Sequence, residues 1–218
     1  MRKSGTLFTL LDIGIIPIFR TSSEGNAIVV AEALIKGSVP VLELPLSFPG
    51  SLTIITKVAK RFGKDLLLGA GTVLDPESVR DAIEAGAQYI VSPDSNPEVI
   101  KACISADVPC FPGALTPTEI ENAIKAGASG IKVFPCNAVG GPAYIKSLSA
   151  PFPEAILFPC GGVNIDNAEA YRKAGASGLF TGASFISESI IQSERYDEIT
   201  KNALKLASII HSSRKNKP

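Results

Sequence analysis

The sequence predicts a single-domain (β/α)8 barrel, and three observations carry that prediction. Eight short runs that are apolar throughout are each followed by a helical or helix-length segment, and strands apolar on both faces belong to a parallel sheet covered by helices. Three segments, EAGAQYIVSP, KAGASGIKVFP and KAGASGLFTG, repeat one grammar: an amphipathic helix ends at Ala-Gly and an apolar strand begins two or three residues later. The first strand lacks the G-x-G-x-x-G turn of dinucleotide-binding sheets, which weakens the rival reading as a doubly wound open sheet. At 218 residues the chain is short for a barrel of typically about 250, so its loops must be brief.

The elements follow in order. MRKSGTLFTLLDIGIIPIFR has the basic tip and apolar stretch of a secretory leader, but Asp12 interrupts the stretch, Pro17 sits in its second half and no small-residue cleavage site precedes Arg20. It reads as a short N-terminal helix leading into strand IIPIFR. The later strands are VPVLEL, LLLGAG, YIVSP, VPCFPG, IKVFP, ILFPCGG and LFTGAS. Helix starts are legible in DPESV, NPEV, TPTEI and NIDNAEA, which offer Asp, Asn or Thr caps, the first three with proline at or near the first helical position. Gly86, Gly127 and Gly175 suit the left-handed position that ends a helix, and Gly37 in LIKGSVPVLEL is expected to do the same. The domain is expected over residues 1–211, with 212–218, SSRKNKP, as a flexible tail.

Composition excludes several classes. Twenty-one basic and twenty-one acidic residues cancel, so there is no electrostatic footprint for nucleic acid or an anionic membrane. No apolar run approaches the length of a membrane span. The four cysteines make neither a C-x-x-C pair nor a metal-ligand spacing, which points to a reducing cytoplasm rather than a disulfide framework. The single histidine, His211, lies near the tail, and clustered carboxylates are missing as well. Chemistry without a metal or other cofactor is therefore expected.

The chemistry is expected at the C-terminal ends of the strands. The run GIKVFPCNAVGG places Lys132 in the middle of an apolar strand, where an ammonium must be paired, neutralised or used. Arg20 closes strand one, Glu43 lies near the end of strand two, Gly71 and Thr72 follow strand three, and Pro93 ends strand four. Period-two alternation puts Val39, Val41 and Glu43 on one face and Lys132 with Phe134 on another. If both faces point inward, a carboxylate and an amine meet in the barrel mouth. The turns CGGVN, with Gly161 and Gly162, and TGAS, with Gly182 and Ser184, follow the last two strands, where this fold often holds a phosphate.

The lysine segment resembles that of the 2-keto-3-deoxy-6-phosphogluconate and 2-keto-4-hydroxyglutarate aldolases. VLELPL, GAGTVLDP, IVSP, FPGALTPTE, PCGGVN and GAS continue the likeness in the right order over almost the whole chain. The resemblance implies a class I aldolase on a TIM barrel: Lys132 forms a Schiff base with a keto acid, and Glu43 moves protons. Thr72 would help orient the pyruvyl part, Phe134 would pack against it, Pro93 would be a further substrate-binding residue, and the turns at 161–162 and 182–184 would hold a distal phosphate. It also implies a homotrimer. One departure matters: where the phosphogluconate enzymes resemble E-V-T-L-R, with the arginine on the pyruvyl carboxylate, this chain has Glu43-Leu44-Pro45-Leu46-Ser47. That form is closer to the E-I-P-L-N of the 2-keto-3-deoxy-6-phosphogalactonate aldolases. Arg20 becomes the leading candidate for the carboxylate.

Plainer readings stand beside these. Lys132 and Glu43 could form a buried structural ion pair, Arg20 a salt bridge at the rim, and Thr72 and Pro93 turns alone. Cys136 and Cys160 lie near the expected site but suit small core positions. At the level of the whole chain, the alternatives are a 4-hydroxy-2-oxoglutarate aldolase, a catalytically silent phospho-ligand barrel, or a phosphosugar isomerase or synthase on the same fold.

Overall fold

Short apolar strands separated by amphipathic helices can bury both strand faces only by closing around a lumen with the helices outside, and the computed structural model, which describes residues 3–214, does so. Helix α1 (Lys3–Ile13) precedes β1 (Ile15–Pro17), and the chain continues through α2 (Glu24–Lys36), β2 (Val41–Pro45), α3 (Ser51–Phe62) and β3 (Leu67–Gly71). Next come α4 (Pro76–Glu84), β4 (Tyr89–Val91), α5 (Pro97–Ser105), β5 (Cys110–Phe111), β6 (Gly113–Ala114) and α6 (Pro117–Lys125). The last third holds β7 (Ile131–Val133), α7 (Pro142–Ser149), β8 (Leu157–Pro159), α8 (Ala168–Lys173), β9 (Leu179–Thr181), α9 (Glu188–Gln192) and α10 (Tyr196–Arg214). Helix α10 carries through residues 212–214, into the stretch expected as tail; residues 215–218 lie outside the described residues.

All strand pairs are parallel, in the orders β2-β3-β4-β5, β6-β7-β8 and β1-β9. Single hydrogen bonds close the gaps: Phe19 N–H donates to the Glu43 carbonyl at 3.0 Å and Ser177 N–H to the Leu157 carbonyl at 2.8 Å. The expected strand VPCFPG appears as two short pieces, β5 and β6. Pro112 between them has no N–H to give the ladder, although its carbonyl still accepts from Lys132 N–H at 2.9 Å. Counting them as one stave gives the eight of a (β/α)8 barrel.

Inside the lumen Ile16, Val41, Leu67, Tyr89, Phe111, Phe158 and Phe180 form one apolar cluster, with Leu10 of α1 packed into it and closing the end away from the C-terminal ends of the strands. Its rings meet edge to face, Phe111 on Phe158 at 5.2 Å and Phe158 on Phe180 at 5.7 Å, a geometry worth about 0.5–1.5 kcal/mol per pair beyond burial. A second cluster fills the layer between strands and helices.

The helix caps follow the sequence with two exceptions. Asp75, Asn96 and Thr116 each accept a hydrogen bond from the first turn, and Thr116 completes a capping box with Glu119. In NIDNAEA, by contrast, Asn164 Oδ1 accepts from the N–H groups of Asp166 and Asn167, capping a turn ahead of α8. Gly86, Gly127 and Gly175 take positive φ as expected, but Gly37 does not: its φ is −83°, and Ser38 adopts +61° instead. Gly37 is small for another reason. A Cβ there would collide with Ala203 and lie 2.9 Å from the Thr200 carbonyl, so the missing side chain lets α10 lie against the end of α2.

Candidate active site

The alternation read from the sequence places both reactive groups in the lumen. Glu43 on β2 is 1% exposed and Lys132 on β7 is 7% exposed. Lys132 is paired in register with Gly113 on one side and Phe158 on the other. Its Nζ sits 5.2 Å from the centre of the Phe180 ring and 5.4 Å from that of Phe134. Among the described residues Lys132 makes no salt bridge; the ion pairs lie on the surface. The buried Lys132–Glu43 ion pair of the plainer reading is thus not among the salt bridges of the described residues.

Glu43 occupies space that Gly71 provides. A Cβ at Gly71 would collide with Glu43 Oε1, so the carboxyl lies directly over the Gly71 backbone. Burial raises the Glu43 pKa above its ordinary 4.5, while the charges of Lys132 and then Arg20 oppose the rise. Its Oε2 has no hydrogen-bond partner. A carboxyl balanced in this way is suited to taking up and returning a proton. The next residue after Gly71, Thr72, has φ +57°, a left-handed conformation rare for a β-branched residue and held at a cost of order 1–3 kcal/mol. Strain of that kind is kept where the surroundings demand it, here at the rim above Glu43.

The other predicted residues gather at the same end. Arg20 is exposed just beyond β1 and lines a cleft of about 440 Å³ with Thr21, Asn26, Phe48 and Ala183. Its charge is felt at Glu43 and at Cys160, whose thiol burial pushes up to about 11. Phe134 is 38% exposed, presenting a ring to the mouth. Pro93 follows β4 and its carbonyl backs onto Gly113, whose missing side chain permits the approach.

The two glycine turns are tied together. Ser184 Oγ donates to the Val163 carbonyl at 2.7 Å, linking the turn after β9 to that after β8. Gly161 and Gly162 have φ of +97° and +68°. Asn167 Nδ2 anchors the Gly162 carbonyl at 2.8 Å. The helices that follow, α8 with six residues and α9 with five, are too short for a developed dipole. The backbone N–H groups of the turns are the donors these two segments themselves can offer an anion. Around Gly182 a Cβ would meet nothing within 4 Å, so the space is open to a ligand. With its hydroxyl proton engaged by Val163, Ser184 is left to offer its backbone N–H.

Sequence reasoning missed Asn137, which packs against Gly161 and Gly162 and is exposed at the mouth. A signal was present, since a polar residue five positions after Lys132 interrupts the quoted run. It also passed over Gly71 as the seat of the Glu43 carboxyl. Among the described residues no three His, Cys, Asp or Glu side chains gather into a set that could hold a metal ion.

Residues 9–202 match a family model described as the aldolase family, KDPG and KHG aldolase. A 2-dehydro-3-deoxy-phosphogluconate aldolase of Treponema pallidum (strain Nichols) is 35% identical over 167 residues, 76% of this chain and 79% of that protein. A 2-dehydro-3-deoxy-6-phosphogalactonate aldolase of Escherichia coli (strain K12) is 36% identical over 170 residues, 78% of this chain and 82% of that one. Among solved structures, a KDPG aldolase from Legionella pneumophila, with pyruvate captured at low pH as a covalent carbinolamine intermediate, superposes with a TM-score of 0.85 at 28% identity, over 92% of this chain and 97% of that one.

Proposed function

Because the chain belongs to the KDPG and KHG aldolase family, we propose that it is a Schiff-base (class I) aldolase that cleaves a 2-keto-3-deoxy-6-phospho sugar acid, of the gluconate or galactonate type, to pyruvate and glyceraldehyde 3-phosphate. The observation that carries the reading is Lys132, buried in the lumen without an ion pair and facing the mouth where Glu43 lies. The covalent carbinolamine of the Legionella relative supports the same chemistry.

The amine of Lys132, in its neutral form, attacks the C2 carbonyl of the keto acid, and Glu43 returns the proton that turns the alkoxide into a carbinolamine. A second proton, taken up from water through Glu43, lets the carbinolamine hydroxyl leave as water, giving the iminium and the Glu43 carboxylate. A base, Glu43 directly or through water, takes the C4 hydroxyl proton; the C3–C4 bond breaks, its electrons flow into the iminium, and the aldehyde departs. The enamine left on Lys132 is protonated at C3, and water hydrolyses the resulting imine to release pyruvate and restore the amine. Thr72 and Pro93 frame the pyruvyl group and Phe134 covers it. The N–H groups of the 161–162 and 182–184 turns hold the phosphate. Arg20 holds the carboxylate that Ser47 cannot, a reading supported by its charge reaching Glu43 at the lysine end of the site.

The active unit is taken to be a homotrimer, on the resemblance to trimeric aldolases, and its home the cytoplasm, in keeping with four free cysteines; light scattering that gives a stable monomer at micromolar concentration would count against the first. The substrate assignment is tested by following pyruvate release from both phosphorylated epimers and from 2-keto-4-hydroxyglutarate, with Arg20→Ala alongside. Release from at least one phosphorylated epimer is expected, and Arg20→Ala should impair every keto acid alike. Cleavage of 2-keto-4-hydroxyglutarate alone would overturn the phosphate reading, and losses confined to phosphorylated substrates would move Arg20 to the phosphate.

A further inference from the structure

Among the described residues two buried polar atoms inside the lumen lack a hydrogen-bond partner: Glu43 Oε2 and the hydroxyl of Tyr89. The third such atom, Thr181 Oγ1, belongs to a residue whose neighbour Phe180 faces the lumen, so alternation turns Thr181 outward. Glu43, Gly69 and Tyr89 are cross-strand neighbours in one line, Glu43 paired with Gly69 and Gly69 with Tyr89. Gly69 has no side chain, and the Tyr89 ring lies across it: a Cβ there would collide with Tyr89 Cε2 and Cζ. The hydroxyl end of the ring therefore extends past β3 toward β2. The Glu43 carboxyl sits over Gly71, two residues further along the same strand, about 7 Å at the usual strand rise. Below and beside Tyr89 lie hydrocarbon side chains, with Phe111 edge-on at 6.4 Å and Val41 and Leu67 in the same cluster, none of which accepts a hydrogen bond. A buried polar group left without a partner is costly, and in folded proteins such groups are normally satisfied by protein or by an ordered water.

We infer that Tyr89 is a positioning residue for the acid–base step: its hydroxyl donates toward Glu43 Oε2 across no more than one water molecule, and so holds the carboxylate over Gly71 in reach of Lys132. The inference rests on the role proposed for Glu43 and deepens it. The charged and titratable groups that face Glu43 are Lys132 on β7, Arg20 after β1, Cys160 after β8 and Tyr89 on β4, and Glu43 is the one charge whose field acts on Tyr89. A donor aimed at the ionised carboxylate favours that form, against the burial that disfavours it. Tyr89 thus makes it easier for Glu43 to act as a base near neutral pH.

Tyr89→Phe removes the hydroxyl and leaves the ring. The expected result is a fall in kcat of roughly tenfold, the lower end of the loss seen when an outer partner of an active-site group is removed, with KM nearly unchanged. The acid limb of the kcat/KM profile should move to higher pH, and the melting temperature should not rise. Replacing Tyr89 by 3-fluorotyrosine, a stronger donor, should move that limb the other way and keeps the test open if the phenylalanine variant folds poorly. Wild-type kcat with an unmoved limb, or a higher melting temperature in Tyr89→Phe, overturns the inference. Pyruvate trapping by borohydride separates the levels: a trapped wild type with an indifferent Tyr89→Phe sinks this inference alone, whereas an untrapped wild type removes the aldolase reading and this inference with it.

Discussion

Glu43 is a carboxyl held where burial works against its charge, and its pKa is raised above 4.5 in consequence. The fold is therefore stabilised by the proton on Glu43. At low pH, where the unfolded chain also carries that proton, this stability is fully present; it is lost as pH rises from 4.5 through the raised folded value. Glu43→Gln, which stays neutral, should be more stable than wild type at neutral pH, with the difference shrinking as the pH falls toward 4.5; unfolding curves at the two pH values check it, and a constant difference would contradict the linkage. The same variant should lose about 10²–10⁴-fold in kcat, the usual cost of removing a positioned acid–base group. Strand alternation made legible which residues share a face, Glu43 with Val41 and Lys132 with Phe134; that both faces turn into the lumen is what the structure adds. The opposition of Tyr89 and Glu43 was not. It depends on the register of β2 against β3 and of β3 against β4, and on two glycines whose value is the space they leave, neither of which one strand's sequence contains.

At the scale of elements, the helix punctuation read well where a local rule was sufficient and failed where a distant element intervened. Proline after a capping side chain starts α4, α5 and α6 as expected, because every atom involved lies within a few residues. Gly37 looked like another left-handed helix end, but its smallness serves α10, more than 160 residues away in the chain, and Ser38 makes the turn. Gly37→Ala should therefore cost about 1–3 kcal/mol, the range of an overpacked contact, even though its φ of −83° is open to alanine. Denaturant unfolding measures this, and an unchanged or stabilised variant would show that α10 gives way. The split of the fifth stave into β5 and β6 has a local cause, Pro112, that was present in VPCFPG.

On the scale of the whole molecule, the barrel sorts its lysines. Fourteen lie in the chain, and among the described residues Lys132 alone is buried, at the one end of the lumen that α1 leaves open. A hydrocarbon floor of Phe111, Phe158 and Phe180 packs the same lumen, and the proposed function assigns the reactivity to this single amine. That reactivity is the central claim, and reduction with borohydride in the presence of pyruvate tests it most directly, read by intact mass and peptide mapping. The account predicts one pyruvyl adduct per chain, on the peptide carrying Lys132 and absent from Lys132→Met. An adduct on another lysine, or none, would contradict it.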